Sequence, residues 1–427
     1  MSAVIERPFA RLLPALILFA FVVALGQQAL AQFSLVQDSA KAAMGLSDEQ
    51  LGLIQALGAA VPMLLLSIPI GILVDRTNRL RLTIILASVW TVGTIGTAFA
   101  NDIWTLTLCR MAAGVGATGA VTAIISIAAD LCAPAQRGRS MLILTVGKSA
   151  GIAAAIGIGG LVLKWLGADG LWGLPSWRAL LVLLGLVSAA TVVLLFFQRE
   201  PERREVLAGP GAPFRTVFGE LWARRAFLVP LFVGQISVTM ADASAGTFVA
   251  PILSRNYGIP PEAASWVGGV LFVTGLAGSV AGGMLADIGH RSGRRGGILY
   301  GAIAAAAVGI PAALFSVAPS VPLLGAGLGL LMFCGTITGL ITAVAITVLL
   351  PNELRGLCIG AFLSLAGLIG FGLAPWLVTR LSVPLGGEKH LGEALAMISV
   401  VVSIASVFAF WLAARRAPDS AMGEPVR

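Results

Sequence analysis

Histidine and tyrosine occur only twice each among 427 residues and cysteine four times, so the side chains behind most acid–base, metal and disulfide chemistry are scarce. His290 and His390 fall in predicted loops. Cys109 and Cys334 fall inside apolar runs, Cys132 and Cys358 at the ends of such runs, and no Cys-x-x-Cys pair exists. Catalytic triads, zinc sites and extracellular disulfide frameworks therefore lack their parts, and neither an enzyme nor a metal or other cofactor is expected. Charge is also sparse, at 11% of residues. Gly147-Lys148-Ser149 imitates the end of a phosphate-binding loop, but Leu142 stands where that loop needs its first glycine, so no ATP site is expected.

Apolar residues, in contrast, make up 58% of the chain, and the mean hydropathy is +0.95. That exceeds what a water-soluble core can hide, so lipid must be the solvent. Runs long enough to span a bilayer as helices, roughly 20 residues, recur with short polar breaks. Twelve are expected, over 11–36, 50–74, 82–100, 105–131, 139–163, 178–198, 224–254, 263–286, 296–317, 321–350, 357–382 and 391–414. The short alternating strands of a membrane barrel are missing, which leaves helices to pair every backbone polar group internally. Arg7, Arg11 and the run ending Ala29-Leu30-Ala31 imitate a cleavable signal peptide, yet removing it would break the pairing of halves described below.

The net charge of +8 follows topology rather than nucleic acid. Arg76, Arg79 and Arg81 follow the second run, Arg137 and Arg139 the fourth, Arg199, Arg203 and Arg204 the sixth, and Arg291, Arg294 and Arg295 the eighth. The positive-inside rule then places both termini and the central loop in the cytoplasm of a bacterial inner-membrane protein in contact with lipids. No soluble domain presents these arginines to DNA or RNA.

Two halves repeat. Gly71-Ile-Leu-Val-Asp75-Arg76-Thr-Asn78-Arg79 is echoed by Gly283-Met-Leu-Ala-Asp287, and Pro134-Ala-Gln-Arg137-Gly138 by Pro351-Asn-Glu-Leu-Arg355-Gly356. Residues 1–198 are read as one six-helix bundle, 199–223 as a cytoplasmic linker, 224–414 as the second bundle and 415–427 as a cytoplasmic tail.

The Gly-x3-Asp-Arg element at Gly71 and the Arg110, Gly114, Gly116 pattern resemble the major facilitator superfamily, over nearly the whole chain. At a finer level Gly45 to Gly52, Asp75 to Arg79, Ala129-Asp130-Leu131 with Arg137, and Pro251 to Gly258 resemble its bacterial spinster-type branch. The resemblance implies an all-α fold of two six-helix bundles, alternating access to a central site, and a cytoplasmic gate built from Gly71, Asp75, Arg76, Arg79, Asp130, Arg137 and Asp287. In such a gate Asp75 holds Arg79 and leans on a helix N-terminus, while Asp130 completes the charge cluster. Two departures stand out. Ala29 and Leu30 occupy the place of the branch's helix 1 Asp-Arg pair, and Ala117 that of its helix 4 Glu.

Charges within apolar runs are costly and mark pathways, partners or relays. Lys148, about 13 Å into its helix, suits an anionic substrate group. Asp242 suits a proton carrier, and Arg110 with Asp242 an outer gate, since helices 1, 4, 7 and 10 line the cavity in the resembling superfamily. Gln28, Gln32, Gln55, Gln235 and Thr239, with Gln27, Thr118, Thr122, Thr338 and Thr342, complete a candidate polar wall or serve as interhelical bonds. The expected function is secondary transport of a small amphipathic organic molecule or organic anion. Proton coupling, uncoupled uniport and a non-transporting membrane receptor stay open as alternatives.

Overall fold

The computed structural model describes residues 9–132, 137–201, 222–349, 358, 362 and 364–418; within these, the side chains of residues 59–65, 67, 68, 75, 129, 137, 138, 347 and 388 are left out. Among the described residues there is no strand, only an isolated bridge between Leu171 and Leu174. The helices are α1 (Phe9–Ala31), α2 (Phe33–Met44), α3 (Asp48–Arg76), α4 (Arg79–Phe99), α5 (Ile103–Leu131), α6 (Arg137–Leu166), α7 (Ser176–Leu195), α8 (Arg225–Tyr257), α9 (Trp266–Arg291), α10 (Tyr300–Ala312), α11 (Val321–Leu349), α12 (Ala374–Leu385) and α13 (Leu391–Arg415).

Eleven stretches of the described residues are long and apolar enough to cross a membrane, and α3, 29 residues long, occupies the remaining predicted span. The chain is thus a multi-pass, all-helical membrane protein. Two spans are less regular than their sequence suggested. The first runs on to Met44 and is broken at Gln32, which separates α1 from α2. The eleventh carries a π-helical stretch at Gly367–Leu373 before α12, where Gly370 passes so close to Thr239 that a Cβ would lie 2.6 Å from its Cγ2.

Local chemistry sets the helix starts. Ser47 and Gln50 form a reciprocal capping box, with Gln50 N donating to Ser47 Oγ at 3.2 Å and Ser47 N to Gln50 Oε1 at 2.8 Å. Asn78 Oδ1 accepts from Arg81 N at 2.7 Å. Asp102 accepts from Trp104 N, Thr105 N and the Thr105 hydroxyl, and these bonds, the hydroxyl first, hold its carboxyl below the usual range. Within the spans, Thr83, Thr91, Thr94 and Thr97 return their hydroxyl protons to the carbonyl four residues earlier, which keeps them satisfied in an apolar surround.

Two compact units emerge. The first holds Met1–Ala208 with Pro260–Gly269, the second Gly209–Ile259 with Val270–Arg427. In the first, Trp90, Phe19, Leu16, Ile124 and Ile127 pack a buried core among α1, α4 and α5. In the second, Phe410, Ile341, Phe227 and Leu231 do the same among α8, α11 and α13. Lipid offers helices no hydrophobic reward for associating, so close packing must hold them, and small residues supply it. A Cβ on Gly147 or Gly151 would overlap the backbone of Ala20 or Ala24, so α6 lies directly on α1.

Candidate transport site

The close approach of α6 to α1 decides where Lys148 stands. Gly147 and Gly151 face α1, and Lys148, one residue around the helix from Gly147, is exposed together with Thr145 and Leu142. At 100° per residue this Thr145–Lys148 stripe is centred about 140° from the exposed Ile158, Leu161 and Trp165. The second group is an apolar face suited to lipid; the first carries a hydroxyl and an ammonium and suits water. Lys148 lies eleven residues after Arg137, about 16 Å along α6, and none of the described residues accepts a hydrogen bond from it.

Arg110 is 4% exposed and meets no carboxylate among the described residues of the first unit. Its Nη1 donates to Ala29 O at 2.9 Å and its Nη2 to Leu30 O at 2.7 Å, while its guanidinium lies 5.0 Å from the Phe33 ring centre. Those carbonyls belong to the last turn of α1, where helical partners run out and the helix dipole favours a cation. Arg110 therefore caps the break in the first span, and only its Nε is unpartnered. Gln32, at the break itself, is fully buried with both amide atoms unpartnered, and its side chain fits only because position 159 is glycine.

In the second unit, Asp242 on α8 presses its carboxylate onto the backbone of Gly335 on α11, so closely that any Cβ there would collide with it. Its Oδ1 is buried and unpartnered. About two turns earlier on α8, Gln235 Oε1 accepts from Thr342 Oγ1 at 3.2 Å, and Thr239 Oγ1, between the two, donates to Gln235 O at 2.9 Å. Gln55 Nε2 reaches Gln37 Oε1 at 3.4 Å, so it bridges α3 and α2. Gln28 is buried on α1, and Thr122, exposed on α5, donates to Thr118 O.

A buried charge cluster centres on Arg79, 2% exposed. Its Nη1 pairs with Asp130 Oδ2 and also donates to Ser126 O and Oγ, each at 3.2 Å. Nε pairs with Glu200 at 2.9 Å, and Nη2 donates to Pro201 O at 3.2 Å. Glu200 also accepts from Arg79 N and Leu80 N, so a carboxylate covers the α4 N-terminus, where the helix dipole favours it. Asp130 was expected here; Glu200 and Ser126 were not. The charged run Arg199-Glu200 directly after the sixth span was the available signal. The Asp75 and Arg137 side chains lie outside the described residues, and Arg76 and Asp287 are exposed.

This buried arginine–carboxylate cluster at the end of the Gly71 motif, set in an all-helical membrane fold, agrees with a family pattern that matches residues 16–375. The chain belongs to the Major Facilitator Superfamily. In fold it is similar to a bacterial homolog of the human lysosomal transporter Spinster, with a TM-score of 0.79 at 21% identity over 96% of this chain and 98% of that one. Among curated relatives, a probable 4-methylmuconolactone transporter of Cupriavidus pinatubonensis is 27% identical over 38% of this chain and 38% of its own length. A facilitated trehalose transporter, Tret1 of Drosophila pseudoobscura pseudoobscura, is 30% identical over 32% of this chain and 15% of its own length. The match thus spans well under half of either curated relative. Relatives of this superfamily are transporters rather than enzymes.

Proposed function

We propose that this chain is a secondary transporter of the bacterial inner membrane that carries an amphipathic organic anion by alternating access, with Asp242 as its proton carrier. The observation that carries the reading is Lys148, an exposed ammonium about 16 Å along α6, on a polar stripe apart from the lipid face, with no acceptor among the described residues. An unpaired charge at such depth costs roughly 2.5–3.5 kcal/mol in hydrocarbon, so its retention favours a pathway. The family and the 4-methylmuconolactone relative support an organic substrate. Arginine placement supports cytoplasmic termini. In this reading the Arg79–Asp130–Glu200 cluster is a latch on the cytoplasmic side.

Proteoliposomes with an internal pH dye test the proposal, with 4-methylmuconolactone and trehalose as probes. The lactone is expected to enter with protons and trehalose to be excluded. Lys148→Gln should raise the half-saturation concentration about tenfold or more, the worth of one charge-assisted hydrogen bond, whereas Lys148→Arg should keep it near wild type. Asp242→Asn should abolish proton flux yet leave lactone counterflow. Lactone movement without protons in the wild type would replace coupling by uniport, and binding without movement would support a receptor.

A further inference from the structure

The second unit has a small, partly open cavity between α8, α10, α11 and α13, lined by Val238, Gly309, Gly335, Thr338, Ser403 and Ser406 among others, with room for about one water molecule. Among the described residues most buried threonine hydroxyls are satisfied by the preceding turn of their own helix, whereas the buried serines Ser244, Ser399 and Ser406 have no partner. Of these three, Ser406 is the one at the cavity. It is 0% exposed, it lines the cavity, and its Oγ has no partner. A Cβ built on Gly309 would meet nothing within 4 Å, so that wall is open space. Thr338 donates to Gly335 O at 2.9 Å and keeps its own oxygen available as an acceptor. Gly335 is the shared boundary, because it walls the cavity on one side and carries the Asp242 carboxylate, whose Oδ1 is also unpartnered.

The unpartnered Ser406 hydroxyl and the free acceptor of Thr338 line a void of about one water's size, and the Asp242 carboxylate lies against Gly335 in its wall; a void with such polar groups retains a water, where an apolar one stays dry. We propose that this cavity binds a single water, held by Ser406 and Thr338, that donates a hydrogen bond toward Asp242 and solvates its ionised form from within the second unit. The proposal rests on Asp242 acting as proton carrier. It adds where the carboxylate finds its solvent: in the bundle interior, apart from the substrate.

Full-length protein in nanodiscs, exposed to synchrotron X-rays in ¹⁸O-water, reads the site through oxidation of the buried Cys334, which also lines the cavity. Radicals form from bound water, so Cys334 is expected to label in the wild type and to lose that label in Gly309→Ala, whose methyl takes the water's place. Ser406→Ala should lower the label and shift the infrared carboxyl band assigned to Asp242 by its disappearance in Asp242→Asn; Ser406→Thr should restore both. An unlabelled wild-type Cys334, or an Asp242 band indifferent to Ser406→Ala, would overturn the proposal. None of these readouts needs a substrate. Labelling without substrate-driven proton flux would therefore refute the carrier role while keeping the water.

Discussion

Arg79 gathers Asp130, Glu200, Ser126 and Pro201 around one guanidinium, so no single acceptor carries the cluster. Removing one member of a buried ion pair strands the others, at a cost of about 3–5 kcal/mol. Arg79→Ala is thus expected to lower the thermal unfolding midpoint in detergent far more than Glu200→Gln, which keeps a neutral acceptor for the α4 amides. Arg79→Lys should fall near Ala, since an ammonium lacks the fork that reaches both carboxylates. Of these partners only Asp130 was legible beforehand, from a motif; Glu200 and Pro201 depended on where 199–201 turns after α7, and Ser126 on how α4 packs against α5. Similarly, Asp242 and Arg110 stood out as charges in apolar runs, but their contacts with Gly335 and with two carbonyls join residues 80 to 93 positions apart.

The break at Gln32 divides the first span, and Arg110 is what closes its open carbonyls. Arg110→Lys lacks the planar fork that reaches both at once, and losing one such bond costs about 1.5–3 kcal/mol, so amide exchange in residues 29–35 is expected to accelerate. Asp102 offers a pH readout at the start of α5. Its carboxyl is depressed in the folded state, so its capping contribution is complete above the ordinary value near 4 and fades as pH falls through the lower folded value. Exchange at Trp104 and Thr105 should rise over that acidic interval, and Asp102→Asn should flatten the response. Helix existence was readable from apolar runs, but the Gln32 break and the π stretch at Gly367–Leu373 were not, because both arise from packing contacts with other helices.

Two units of similar size follow from the repeated Asp75 and Asp287 motifs, whereas the inclusion of Pro260–Gly269 in the first unit has no counterpart in the repeat. Single-cysteine labelling in intact cells tests the topology. Positions in 133–136, the 199–223 connector and the 419–427 tail are expected to react only after permeabilisation, and positions in 168–173 and 258–262 without it. Composition and the spacing of apolar runs alone determined that this is a multi-pass helical membrane protein, because hydrocarbon admits only helices and closed barrels and the alternating strands of a barrel are missing; motifs alone carried the family. Which charges are caps, which are paired and which stand free was decided only by folding. Lys148 is exposed because two glycines bring α6 onto α1, and Asp242 is confined because position 335 has no side chain. Such outcomes depend on distances between helices, which a periodic pattern along one helix does not contain.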